Sequence, residues 1–132
     1  MALRCLIVDD NARYGEASRS LLEREGVAVV GVATNGQQAE WLARRFRPDV
    51  VLVDIHLGAE SGFDLARRLV AEARGAAPDV ILISTHDELE FLDLIEASPA
   101  VGFLGKRSIS AAAIEELLAR GDDADVSARR GT

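Results

Sequence analysis

Three aspartates, one serine and a lone lysine stand at the ends of short apolar runs. Leu6-Ile7-Val8 leads into Asp9-Asp10, Val51-Leu52-Val53 into Asp54, Ile81-Leu82-Ile83 into Ser84, and Val101-Gly102-Phe103-Leu104 is followed by Gly105-Lys106. Of the 15 basic residues only Lys106 is a lysine. An ammonium is a compact point charge that approaches a single oxygen, whereas a guanidinium is a flat fork. If the runs are parallel strands, the acids, the hydroxyl and the ammonium all lie at carboxyl ends, the edge where open α/β sheets bind ligands. Carboxylates crowded there repel one another by about 1 kcal/mol per pair at ~4 Å even in water. A bound divalent cation relieves that repulsion.

The elements that must position these groups alternate regularly. Residues 3–8, 27–32, 50–53, 80–83 and 101–104 read as strands, several of them continuous Leu/Ile/Val as in a sheet covered on both faces. Helices are expected over 12–25, from Thr34 or Asn35 to Phe46, from Ser61 or Gly62 onward, over 87–96, and from Ser108 or Ser110 to about Ala119. Their inward faces are read as Tyr14, Ala17, Leu21 and Leu22; Ala39, Leu42, Ala43 and Phe46; Phe63, Ala66, Leu69 and Val70; Leu92 and Ile95; and Ala113, Ile114, Leu117 and Leu118. Gly26 and Arg47-Pro48-Asp49 are stop signals. A loop, Ile55–Ser61, follows the third strand. Five βα units imply a doubly wound parallel sheet with helices on both faces and right-handed crossovers. Residues 1–120 form one domain. Residues 121–132 are polar and without periodicity, and are read as a disordered tail.

Bulk properties narrow the class. A chain of 132 residues supports one self-sufficient core. The single cysteine, Cys5, cannot form an intrachain disulfide, which fits a reducing, cytoplasmic setting. No apolar stretch approaches the ~20 residues of a membrane span, and a signal peptide is not apparent at the start. A net charge of −7 argues against direct nucleic-acid binding.

With Asp9-Asp10, Asp54, Ser84 and Lys106 each at the end of the right strand, residues 3–119 resemble a receiver domain of the bacterial two-component response regulators. The resemblance implies a flavodoxin-like five-stranded sheet of order 2-1-3-4-5. It implies that Asp54 accepts a phosphoryl group from a histidine kinase, with Lys106 and Ser84 assisting. It further implies a Mg²⁺ held by Asp10 and Asp54 directly, by Asp9 through water, and by the backbone carbonyl of His56. Carboxylates do form acyl phosphates, and phosphoryl transfer is mainly positioning and charge stabilisation. Ser84 and Phe103 match the family's switch pair, reporting the added charge on the surface formed by the fourth helix, fifth strand and fifth helix. That fourth helix is acidic, with Asp87, Glu88, Glu90, Asp93 and Glu96, so an output protein docking there should present basic groups. A homodimer of the phosphorylated form is left open. No independent substrate turnover is expected.

Two positions depart from the family. Arg107 stands where proline usually follows the lysine; a non-proline cis bond costs about 2.5–4 kcal/mol, which leaves the form of this bond and the presentation of the lysine open. Gly58 stands where the loop after the acceptor usually carries proline, which should loosen it. Around Lys106 the sequence is similar to receivers of helix-turn-helix DNA-binding regulators, so a receiver module of such a regulator, without its output domain, is the alternative. A phosphohydrolase with an Asp-x-Asp motif is disfavoured, because the second position after Asp54 is His56. Blander readings exist for single residues: acid pairs cap helices, a serine bonds local backbone, and Phe103 fills core. His56 and His86 each lie two residues past a site residue, and either tune the lifetime of the phosphoaspartate or are ordinary loop histidines. The Arg44/Arg45/Arg47 run is read as a solvated face and Trp41 as partly buried.

Overall fold

The computed structural model describes residues 2–73, 75–85 and 90–130, of which 121–130 as backbone. The elements in chain order are β1 (Arg4–Val8), α1 (Ala12–Arg24), β2 (Ala28–Ala33), α2 (Gly36–Phe46), β3 (Val50–Asp54), β4 (His56–Leu57), β5 (Glu60–Ser61), α3 (Gly62–Ala71), β6 (Asp79–Ser84), α4 (Leu92–Ala97), β7 (Gly102–Gly105) and α5 (Ala111–Arg130). A 3₁₀ turn, Lys106–Ser108, joins the last two. The main sheet is parallel with the order β2-β1-β3-β6-β7. Leaving aside the small β4–β5 hairpin, this is the expected 2-1-3-4-5.

Side chains alternate across the strands, and each strand therefore feeds two cores. Leu6, Val8, Val51, Val53, Val80 and Leu82 meet Ala39, Leu65, Ala66 and Leu69 on one face. Cys5, Ile7, Val50, Leu52, Ile81 and Ile83 meet Leu22 and Ile114 on the other. Both faces are covered, which is why the strands read as unbroken apolar runs.

Caps explain where the helices begin. Asn35 Oδ1 accepts from Gln38 N at 2.9 Å, and Ser110 Oγ accepts from Ala113 N at 3.0 Å, deciding both alternatives left by the sequence. Ser61 Oγ caps α3 from Asp64 N at 3.4 Å. Arg47 ends α2 in the left-handed region, with φ 45°.

Several inward-facing assignments need correction. Ala17 is exposed; the buried stripe of α1 is Gly15, Ser18 and Leu22. A Cβ at Gly15 would sit 2.5 Å from Val32 Cγ1, so this helix lies close because its contact residue is small. Phe46 and Leu92 are exposed rather than core, and so is Trp41 at 57%. In α4 the inward positions are Phe91 and Ile95, four apart, which leaves Leu92 and Leu94 outside. Of the expected 87–96 helix, residues 87–89 lie outside the described residues, and α4 starts at Leu92. The backbone of α5 is helical to Arg130, past the end expected near Ala119 and into the stretch read as an irregular tail. Extending a formed helix costs little where no proline intervenes. Among the described residues no helix is long and apolar enough to cross a membrane.

Candidate functional site

Parallel pairing carries the carboxyl ends of β1, β3, β6 and β7 to one edge. Asp9 directly follows β1, Asp54 and Ser84 are the last residues of β3 and β6, and Lys106 directly follows β7. Ser84 pairs in register with Gly105, the residue before Lys106. Phe103 lies half-buried in β7, against the same core as Phe91 and Ile95.

One carboxylate oxygen from each of Asp9, Asp10 and Asp54 lies within 4.8 Å of the other two. Asp9 and Asp54 are buried, while Asp10 is exposed. Lys106 reaches between them, its Nζ 2.6 Å from Asp9 Oδ2 and 3.0 Å from Asp54 Oδ2. Backbone amides hold the other oxygens: Asn11 N donates to Asp9 Oδ1 at 2.8 Å and His56 N to Asp54 Oδ1 at 3.1 Å. The ammonium donates a hydrogen bond to Asp54 Oδ2, but its approach to Asp9 Oδ2 is ion-pair contact without hydrogen-bond alignment. Asp9 Oδ2 is thus buried with no hydrogen bond.

Burial raises the Asp54 carboxyl above its usual range. The hydrogen bonds from Lys106 and His56 N oppose this, and the Asp9 charge adds to it. Burial alone would lower the Lys106 ammonium; its close contacts with Asp9 and Asp54 and the charges of those carboxylates together outweigh it and raise it.

These residues fit a small divalent cation. The donors are all hard oxygens, one of them buried without a hydrogen bond. Three carboxylates against one ammonium formally leave two negative charges.

Two features near the site carried no signal in the sequence. The loop after Asp54 is a small antiparallel hairpin, with His56 opposite Ser61 and Leu57 opposite Glu60. Gly58 at its tip has φ +61°, where glycine is at ease. Glu60 fastens the hairpin to its neighbours: Oε1 accepts from Gly36 N at 3.0 Å, and Oε2 lies 3.4 Å from an Arg68 guanidinium that also binds Glu40 at 3.0 Å. Gly62 lets α3 begin against the end of β3, since a Cβ there would fall 2.1 Å from the Asp54 carbonyl oxygen.

The second feature is Tyr14 on α1. Its hydroxyl donates to the Lys106 carbonyl at 2.7 Å, and the Lys106 ammonium lies 4.7 Å from its ring centroid. The Lys106–Arg107 bond is trans, there being no cis peptide among the described residues. His56 is exposed with its ring edge-on to Phe91 at 5.6 Å, and His86 lies outside the described residues.

The family model for the response regulator receiver domain matches residues 5–119. The chain belongs to this receiver family. It is similar to a protein-glutamate methylesterase/protein-glutamine glutaminase of Alkalilimnicola ehrlichii, 36% identical over 110 residues, which covers 81% of this chain and 27% of that one. It is also similar to the protein PilH of Pseudomonas aeruginosa, 39% identical over 85 residues, with 64% and 69% covered. Among solved structures, a two-component response regulator of the LuxR family from Aurantimonas superposes with a TM-score of 0.78 at 27% identity, with 93% and 87% covered. The chain spans between about a quarter and a half of the length of the first curated relatives it matches.

Proposed function

We propose that this receiver is a Mg²⁺-dependent phosphoacceptor switch of a two-component phosphorelay, with Asp54 as acceptor and a histidine kinase as donor. The observation that carries this reading is the placement of Asp54: it ends β3 with Lys106 Nζ at 3.0 Å and two further carboxylates beside it. In the transfer, an Asp54 carboxylate oxygen bonds to phosphorus as the bond from phosphorus to the donor nitrogen breaks. The bonding pair stays with the imidazole that leaves. The Lys106 ammonium turns from carboxylate to phosphoryl oxygen and offsets its charge. Asp10 and Asp54 would hold Mg²⁺ directly, Asp9 through water, with the His56 carbonyl as a further ligand. When bound, the ion supplies charge neutralisation on the transferring group.

Ser84 and Phe103 are the readout pair in this reading. The Ser84 hydroxyl donates to a phosphoryl oxygen, which draws in the loop after β6, and Phe103 repacks as that loop moves. The output surface is then α4, β7 and α5. Glu90, Asp93 and Glu96 are exposed there, and suit an output protein with basic groups; Asp87 and Glu88 lie outside the described residues. Residues 1–120 act as the receiver unit, in the cytoplasm, with a homodimer of the phosphorylated form as one mode of output. No turnover of a separate substrate is part of this reading.

The test is intact mass after incubation with acetyl phosphate, with and without Mg²⁺. The expected gain is one phosphoryl group that requires Mg²⁺ and is lost in Asp54→Asn. A gain that persists in Asp54→Asn would overturn the assignment of the acceptor.

A further inference from the structure

Lys106 is the one site residue with no buried strand beneath it. It begins a 3₁₀ turn that has no side-chain cap, after a strand whose four residues are all half-exposed. A long side chain on such a base has many rotamers to lose before it can sit between two buried carboxylates. Yet its ammonium lies at 2.6 and 3.0 Å from them, so the restraint must come from elsewhere.

It comes from α1. Asp9 Oδ1 accepts from Asn11 N, and Asn11 Oδ1 accepts from Tyr14 N at 3.2 Å as the helix cap. The Tyr14 hydroxyl donates to the Lys106 carbonyl, and Lys106 Nζ returns to Asp9 Oδ2. Four residues, the outermost of them 97 apart in sequence, close a ring around the site. Tyr14 is the only member that touches Lys106 at both ends. Its hydroxyl holds the root of the side chain, and its ring lies 4.7 Å from the charged tip, within the range of a cation–π contact.

We propose that Tyr14 is a positioning residue for phosphoryl transfer, acting through Lys106: it anchors the lysine's backbone and guides its ammonium over Asp54. This rests on the phosphoacceptor reading above. The ring keeps contact with the ammonium while the latter exchanges a carboxylate oxygen for a phosphoryl oxygen, so the lysine moves along a fixed surface rather than searching for its place.

Two variants separate the two holds. Tyr14→Phe removes the hydroxyl and keeps the ring; Tyr14→Leu removes both. With acetyl phosphate as donor, Tyr14→Phe should lower the maximal phosphorylation rate by about 3- to 10-fold, and Tyr14→Leu by about 10²-fold, the loss that a 1 Å misplacement brings. Mg²⁺ affinity, read by calorimetry, should stay within about 2-fold, since Tyr14 is not among the carboxylate ligands. In a Lys106→Ala background Tyr14→Phe should have no further effect. Equal losses in both backgrounds would show a merely structural role and overturn the proposal.

Because Lys106 is the sole lysine, protein labelled with ¹³C,¹⁵N-lysine gives one ε-methylene signal. The Tyr14 ring should shift it upfield in the wild type and in Tyr14→Phe, and the shift should vanish in Tyr14→Leu. A signal that does not move in Tyr14→Leu would also overturn the proposal. Failure of the wild type to take up a phosphoryl group would strike the phosphoacceptor reading. A normally phosphorylated wild type with normally phosphorylated Tyr14 variants would strike only the role given to Tyr14.

Discussion

From Cys5 to Val8 in β1 and from Val50 to Val53 in β3 every residue is fully buried, whereas all four residues of β7 are half-exposed and α4 buries none of its six. The two regions lie two strands apart in one sheet. The β1–β3 half ends in Asp9 and Asp54 and is packed on both faces. The α4–β7 edge carries Phe103, two exposed leucines and a helix whose N-cap residue, Phe91, makes no side-chain cap hydrogen bond. Two carboxylates held close together against their repulsion need a stiff base. A readout surface needs an arrangement whose alternative lies only a little higher in free energy, which dense packing forbids. In the proposed phosphoacceptor reading the difference in packing is a division of labour: charge is held on one side, and its change is felt on the other.

That division is sharpened first at Lys106, which bridges the two regions. Lys106→Ala should lower the phosphorylation rate by about 10²–10³-fold, the cost of removing one preorganised donor to a developing charge. Lys106→Arg should not restore it, because a planar fork cannot take the place of a point charge between Asp9 and Asp54. A stopped assay with a small phosphodonor checks both.

Packing differences come next. Leu52→Ala, in the stiff half, should cost about 2–5 kcal/mol in urea unfolding, and Leu94→Ala, 54% exposed in α4, less than about 0.5 kcal/mol. Similar losses at the two positions would erase the comparison.

A pH-dependent effect is expected at Cys5, which is fully buried in β1. Burial pushes its thiol up from 9.0 to about 12. The folded form therefore keeps a proton that the unfolded chain gives up. The stability it contributes is whole below pH 9 and is lost as pH rises towards 12, at about 1.4 kcal/mol per pH unit. Cys5→Ala should lose stability less steeply than the wild type between pH 9 and 11, as followed by circular dichroism in urea.

Much of the stiff half was legible in the sequence, and for a physical reason. A strand buried on both faces admits almost nothing but Leu, Ile and Val, so an acid at its end stands out, as Asp54 and Asp9-Asp10 do. The soft edge was less legible. Six-residue α4 is too short for periodicity to choose between Leu92 and Phe91 as the inward residue. On α1, Gly15 and Ser18 make the close contact by being small, and carry no hydrophobic signal. The β4–β5 hairpin has strands of two residues, below any pattern. Tyr14 read as ordinary core, because its contact with Lys106 spans 92 residues and is made by the fold alone.

The most direct test of the division is amide hydrogen exchange of the Mg²⁺-loaded protein, before and after adding beryllofluoride as a stable stand-in for the phosphoryl group. Exchange should change by several-fold in Leu92–Ala97 and Gly102–Gly105, while Leu6–Val8 and Val51–Val53 stay equally slow throughout. A change spread evenly over both regions, or confined to β1 and β3, would contradict that division.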